Sequence, residues 1–193
     1  MRYAALALVA LLGLAMPAGA APILATGTTT ATILDTAASG FAVTPLGGAT
    51  LDTSGSAPQA TIPITGGTEN ADGTRTILHA GSGLGFAAPG LLIDLYDFVL
   101  DTAAGSIAAR VVVNGSAYAS SLVAFDLAPD LSVSLTAATA ALLNSALSTS
   151  LFNGDAVLAT LRIEGLSVAV PAPAALALLL LGVAATAAVR RRG

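Results

Sequence analysis

Two apolar blocks bracket a long stretch of alternation. Ala4 to Ala15 is an apolar run behind Met1-Arg2-Tyr3, and Ala174 to Val189 is a second, sixteen residues without a charge, closed by Arg190, Arg191 and Arg192. Between them, apolar and polar positions alternate in short segments rich in Thr, Val, Ile and Ala and punctuated by Gly, Pro, Asn and Asp. A period of two puts alternate side chains on one face of a strand, so this texture predicts β structure.

Taken in order, the alternation predicts strands at Thr28 to Leu34, at Phe41 to Thr44 before Pro45 and Gly47-Gly48, and at Ala49 to Leu51. Thr61 to Thr65 alternates well, but Pro63 lacks an amide hydrogen and confines that strand to an edge or a bulge. Thr68 to Gly90 reads as loop-prone, with Asn70-Ala71-Asp72-Gly73 and the glycines 81, 83 and 85 around a short strand at Thr74 to Leu78. The clearest hairpin runs from Leu91 to Leu100, turns at Asp101 to Gly105 and returns from Ile107 to Val113. In its second arm Ile107, Ala109, Val111 and Val113 share a face opposite Arg110. Asn114-Gly115 is a turn signal. Further strands are expected at Leu122 to Leu127 and Leu131 to Leu135.

One helix interrupts them, Ala137 to Leu147, capped by Thr136, with Ala140, Leu143 and Leu147 on the face laid against a sheet. The last strand, Ala156 to Glu164, should point Val157, Ala159, Leu161 and Ile163 inward and Leu158, Thr160, Arg162 and Glu164 outward. The fold class is all-β: an antiparallel β-sandwich with one short helix over residues 21–166, and Leu166 to Val170 as a tether.

The apolar blocks give the chain its address. A basic leader, a short apolar core and Ala18-Gly19-Ala20 make residues 1–20 a secretory signal peptide cleaved between Ala20 and Ala21. The second block, within residues 167–193, spans roughly 24 Å as a helix against a hydrocarbon core of about 30 Å, and Leu166 to Val170 extend it to length. Arg190 to Arg192 place its end in the cytoplasm, so the domain faces the far side of the inner membrane. The mean hydropathy of +0.85 is inflated by these two ends, and no other run is long enough to span.

Charge and chemistry narrow the role. Between the ends stand Arg75, Arg110 and Arg162 against eleven acids, an excess of eight negative charges with no lysine in the chain. Such a surface repels nucleic acid and anionic lipid. Without cysteine the domain closes no disulfide. With one histidine, His79, no cysteine, no lysine and no Gly-x-Ser-x-Gly elbow, the usual zinc, thiol, serine and Walker-type sites have no parts, and no catalytic residue, metal site or cofactor is expected. His79 is read as a solvated loop residue. Asp94, Asp97, Asp101, Asp126, Asp130 and Asp155 lack the spacing of a calcium loop, and Asp101 and Asp155 sit where Asx-turns want them. Tyr96, Phe98 and Phe125 offer a sugar platform or, more simply, core.

The tail as a whole, Val170-Pro171-Ala172-Pro173-Ala174, the apolar run and the arginine stop, resembles the PEP-CTERM sorting signals of Gram-negative bacteria, in their Val-Pro-Leu-Pro-Ala variant. Four of the five motif positions agree, Ala172 departing. The resemblance implies an exosortase-like membrane protease that cuts near the motif and releases or re-anchors the protein, often in company with exopolysaccharide. An uncleaved C-terminal anchor is the competing reading, whereas a GPI-type tail would end apolar. Ile64-Thr65-Gly66-Gly67, His79 before a glycine-rich turn, the Leu91 to Val113 hairpin and Leu135-Thr136 also resemble the haem-associated domain of bacterial haem-uptake surface proteins, which would make His79 the haem ligand; Tyr96 and Tyr118 have no motif partner. The expectation is an exported, non-enzymatic protein. It is inner membrane-anchored as a precursor and then at the cell surface or in the extracellular matrix, in a structural or interaction role. A surface domain binding haem or sugar is the alternative.

Overall fold

The computed structural model describes residues 20–34, 41–146, 150, 152–154 and 156–169. The signal segment up to residue 19, the motif from Val170 to Ala174, the arginine stop at Arg190 to Arg192, Leu147 and Asp155 lie outside the described residues. Among the described residues no helix is long and apolar enough to cross a membrane.

The chain forms β1 (Ala21–Ile23), β2 (Thr28–Ile33), β3 (Ala42–Gly47), β4 (Thr50–Asp52), β5 (Gln59–Pro63), β6 (Gly66–Glu69), β7 (Arg75–Ala88), β8 (Leu91–Asp101), β9 (Ser106–Val113), β10 (Ser116–Leu127), β11 (Ser132–Leu135), α1 (Ala137–Ala146) and β12 (Val157–Glu164). Among the described residues this is antiparallel β with one short helix, as the sequence predicts. The strands are joined in one continuous sheet, ordered β1-β6-β7-β8-β9-β10-β11-β12-β2-β5-β4, and not in two separately bonded layers. β3 lies off this path, paired with Ser82 to Ala87 of β7, while β6 pairs with Arg75 to Leu78 of the same strand.

Short connections roll this sheet on itself. From the end of β5 the Ile64 amide donates to the Gly27 carbonyl and the Thr65 amide to the Leu78 carbonyl. A strand near one end of the order is thereby brought against β7 near the other. The interior holds one apolar cluster, Ala31 and Ile33 from β2, Ile62 from β5, Ile77 and Leu84 from β7, Leu95 and Leu100 from β8, and Ile107 and Val111 from β9. Burial of such apolar surface, at roughly 25 cal/mol per Å², is what stabilises a chain without disulfides.

Local chemistry sets the boundaries. Asn114 and Gly115 both adopt positive φ, 49° and 77°, as the tight β9–β10 turn requires. Thr136 caps α1, its Oγ1 accepting from the Thr139 amide at 3.1 Å. Ala140 is buried, and Asn144 bonds both backbone groups of Phe152 at 2.9 Å. Pro63 sits opposite Thr28 but past the reach of β4, which pairs only with Gln59 to Thr61 of β5, so its missing amide hydrogen is harmless there.

Four expectations need correction. Pro45 does not end its strand: β3 runs from Ala42 to Gly47, bonded on its β7 side, and a strand with one free edge tolerates proline. Thr68 to Gly90 is not a loop, because most of it is the fourteen-residue β7. In β12, Ala159, Leu161 and Ile163 point inward as expected, but at a register shift against β11 Leu158 faces the interior instead of solvent and Val157 is 45% exposed. Finally, residues 166–169 are no loose tether. The Leu24 amide donates to the Ser167 carbonyl at 2.8 Å, the Ala169 amide to the Pro22 carbonyl at 2.9 Å, and Ile23 pairs with Val168.

Candidate functional site

The largest departure from the sequence reading is His79. It lies within β7 with its side chain turned inward, 1% exposed, where the rolled sheet brings β2 and β5 against β7. Nδ1 is 2.9 Å from the Pro63 carbonyl, and Nε2 is 3.2 Å from Thr29 Oγ1. A carbonyl only accepts, so Nδ1 carries the proton; Nε2 is then the acceptor of the buried Thr29 hydroxyl. Burial pushes the imidazole below its ordinary pKa, and the bond to Pro63 only partly opposes this. His79 therefore stands as a neutral tie between three strands. Neither nitrogen is open to a haem iron, so the geometry argues against the ligand role that the haem-domain resemblance implies.

The glycines beyond it explain why the strand continues. Gly81 takes φ 72° at the point where the β7–β8 register shifts, and Asp97 opposite takes φ 55°. A side chain on Gly83 would overlap the Leu95 carbonyl, and one on Gly85 would meet Thr44 Oγ1 at 2.7 Å and Asp94 Oδ1 at 2.9 Å. Gly83 is glycine for close backbone approach, and Gly85 for the room taken by the facing Thr44 and Asp94 side chains.

The acidic residues act singly. Asp97 Oδ1 accepts from the Gly81 amide at 2.7 Å and Oδ2 pairs with Arg110 at 2.9 Å. The Gly81 bond first, then Arg110, hold its carboxyl below the usual range. Asp101 accepts from the Ala103 and Ala104 amides, both at 2.9 Å, the turn role its position predicts. Asp130 accepts from the Ser132 hydroxyl and amide, which lower its pKa. Asp126 is exposed. Among the described residues no three His, Cys, Asp or Glu gather to hold a metal ion.

The aromatic residues divide between the faces. Tyr96 carries the Arg110 guanidinium 4.5 Å above its ring on the outside of the sheet, while Phe98 is buried in the core. Phe125 faces two adjoining apolar cavities, of about 120 and 280 Å³, which the pattern of strands does not reveal. The smaller lies beside His79, the larger beneath α1, and Ile33, Phe86, Leu95, Phe125 and Leu158 line both. Only the abundance of alanine at inward positions, such as Ala31, Ala109 and Ala124, hinted at unfilled space. Neither a protein-family profile, nor a characterised protein, nor a solved structure matches this chain.

Proposed function

We propose that the chain is an exported, non-catalytic protein, cut by signal peptidase after Ala20 and sorted by its C-terminal signal. Its β domain then acts at the cell surface or in the extracellular matrix, in a structural or interaction role, with exopolysaccharide as the implied company. One observation carries this reading, the order of blocks along the chain: basic leader, short apolar core and Ala18-Gly19-Ala20 at one end; Val170 to Ala174, apolar run and Arg190 to Arg192 at the other. Before processing, the tail holds the precursor in the inner membrane, where an exosortase-like protease is its partner. Support comes from where the described strands lie relative to the two cleavage points. β1 begins at Ala21, and the Ala169 amide, immediately before the motif, donates to the Pro22 carbonyl at 2.9 Å. Cleavage at either proposed point would spare every strand among the described residues.

Intact-mass analysis of the protein recovered from cells tests this reading. The expected species begins at Ala21 and ends at or near the Val170 to Ala174 motif. A species that begins at Met1 refutes export by this route, and one from Ala21 to Gly193 makes the tail an uncleaved anchor.

A further inference from the structure

The rolled sheet encloses more space than its own side chains occupy. A closed sheet of about eight strands is just filled by side chains or holds one small ligand, and wider ones leave room inside. Here the interior is lined in part by Ala31, Ala109, Ala124 and Ala159, and the chain has no tryptophan and only 4% aromatic residues to fill the remainder. The two cavities meet at Phe86, Leu95 and Phe125, and the larger reaches a rim where Tyr118 is 52% exposed.

We infer that this interior binds a neutral small molecule with a long hydrocarbon portion, which enters past Tyr118 and extends toward His79. The chemistry of the wall selects that class. Its buried polar groups are already committed to one another, His79 to Thr29 and Pro63, and Thr139 to Thr136. No buried side-chain nitrogen or oxygen among the described residues lacks a partner. A ligand therefore finds apolar surface and shape inside, with no directional hydrogen bond to satisfy a polar group of its own. Charge excludes the anionic lipids. The chain has no lysine, and Arg75, Arg110 and Arg162 are paired with Glu69, Asp97 and Glu164, none of them in the cavity wall. A carboxylate would enter an acidic protein with no counter-charge, whereas an alcohol keeps its hydroxyl at the Tyr118 rim. Apolar cavities that stay dry take up small apolar guests, and a hydrocarbon chain presents the same surface to the wall. The binding is independent of how the chain is exported or anchored.

The absence of tryptophan makes the test direct, because one introduced indole is the only one in the protein. Phe125→Trp places it in the wall shared by the cavities, and Tyr96→Trp places it on the outer face of the sheet. Each full-chain variant, held in detergent micelles free of any other protein, is titrated with a terminally brominated long-chain alcohol, which quenches indole on contact. Saturable quenching of Phe125→Trp, with Tyr96→Trp unaffected, is the expected result. Adding Val113→Phe or Ala124→Leu, which fill the larger cavity, should raise the midpoint about tenfold. The corresponding brominated carboxylate should bind at least about tenfold more weakly than the alcohol. Circular dichroism confirms that each variant folds, and either filling variant suffices alone. Quenching that never saturates, that is equal at both reporters or that both filled variants leave unchanged overturns the site; a carboxylate as tight as the alcohol overturns the ligand class.

Discussion

β7 and β9 flank β8 on its two sides, and they are strands for different reasons. β9 is declared by its side chains: Ile107, Ala109 and Val111 are buried and Arg110 is exposed, the alternation a half-buried strand requires. β7 carries three glycines within five residues, a composition that ordinarily weakens a strand through backbone entropy. What offsets this is proximity, since Gly83 lies against the Leu95 carbonyl and Gly85 beneath Thr44 and Asp94. One strand is specified by what its side chains bury, the other by what its missing side chains admit.

Substitution at the close approach should separate the two strands most sharply. Gly83→Val must displace backbone, so we expect a loss of about 3 kcal/mol, whereas Ile107→Val on β9 only trims a methyl group and costs about 1 kcal/mol. Urea denaturation of both variants measures the gap. Equal losses would mean that β7 is held by something other than the approach of its glycines to β8. Next in size is His79→Ala, which removes a buried ring, strands the Thr29 hydroxyl and leaves the Pro63 carbonyl without its donor; the expected loss is about 2 to 3 kcal/mol. A change within about 0.5 kcal/mol is what a solvated loop histidine would give, and would contradict the buried tie between β2, β5 and β7.

The same histidine makes β7 sensitive to pH where β9 is not. Burial lowers the folded-state pKa of His79, so the unfolded chain takes up a proton near pH 6.5 while the folded chain stays neutral. Stability should therefore fall as pH drops below about 6.5 toward the lowered folded pKa, by at most about 1.4 kcal/mol per pH unit for one proton. The carboxylates behave in the opposite sense and at lower pH. Asp97 and Asp130, with depressed pKa values, add stability that is present above about pH 4 and lost below it. Denaturation midpoints between pH 7.5 and about 5 should decline in the wild type and stay flat in His79→Ala. A parallel decline in both would assign the effect to another group.

How far the sequence carried this fold follows from the same contrast. The β8–β9 hairpin, the Asn114-Gly115 turn, the Thr136 cap and the turn role of Asp101 were legible, because each is decided by residues close together in the chain. β7 was not, since whether Gly83 and Gly85 mark mobility or close approach depends on Leu95, Asp94 and Thr44, which only the folded sheet brings near. His79 was misread with its strand, and its partners Thr29 and Pro63 are fifty and sixteen residues away. The tie of Leu166 to Ala169 to the N-terminal strand was hidden for the same reason. Unfilled space is set by what faces each inward position across the fold, so alanines such as Ala31 and Ala124 hint at the cavities without locating them.

The smallest expected effect lies on the outer face, where β9 meets β8 through Arg110. Its guanidinium pairs with Asp97 and lies over Tyr96, but both charged side chains are about two-fifths exposed, 43% and 40%. Pairs of this kind contribute roughly 0.2 to 1 kcal/mol, and Arg110→Ala should cost no more than that. The carboxyl of Asp97 gives a finer reading than stability does. Its pKa is lowered chiefly by the Gly81 amide and only secondarily by Arg110, so in Arg110→Ala it should remain below the ordinary aspartate value. Carboxyl carbon shifts followed by NMR from pH 2 to 6 would show this. Return of Asp97 to an unperturbed titration would transfer its role from the Gly81 bulge of β7 to the arginine of β9, and would make the outer face an ion pair rather than a backbone anchor.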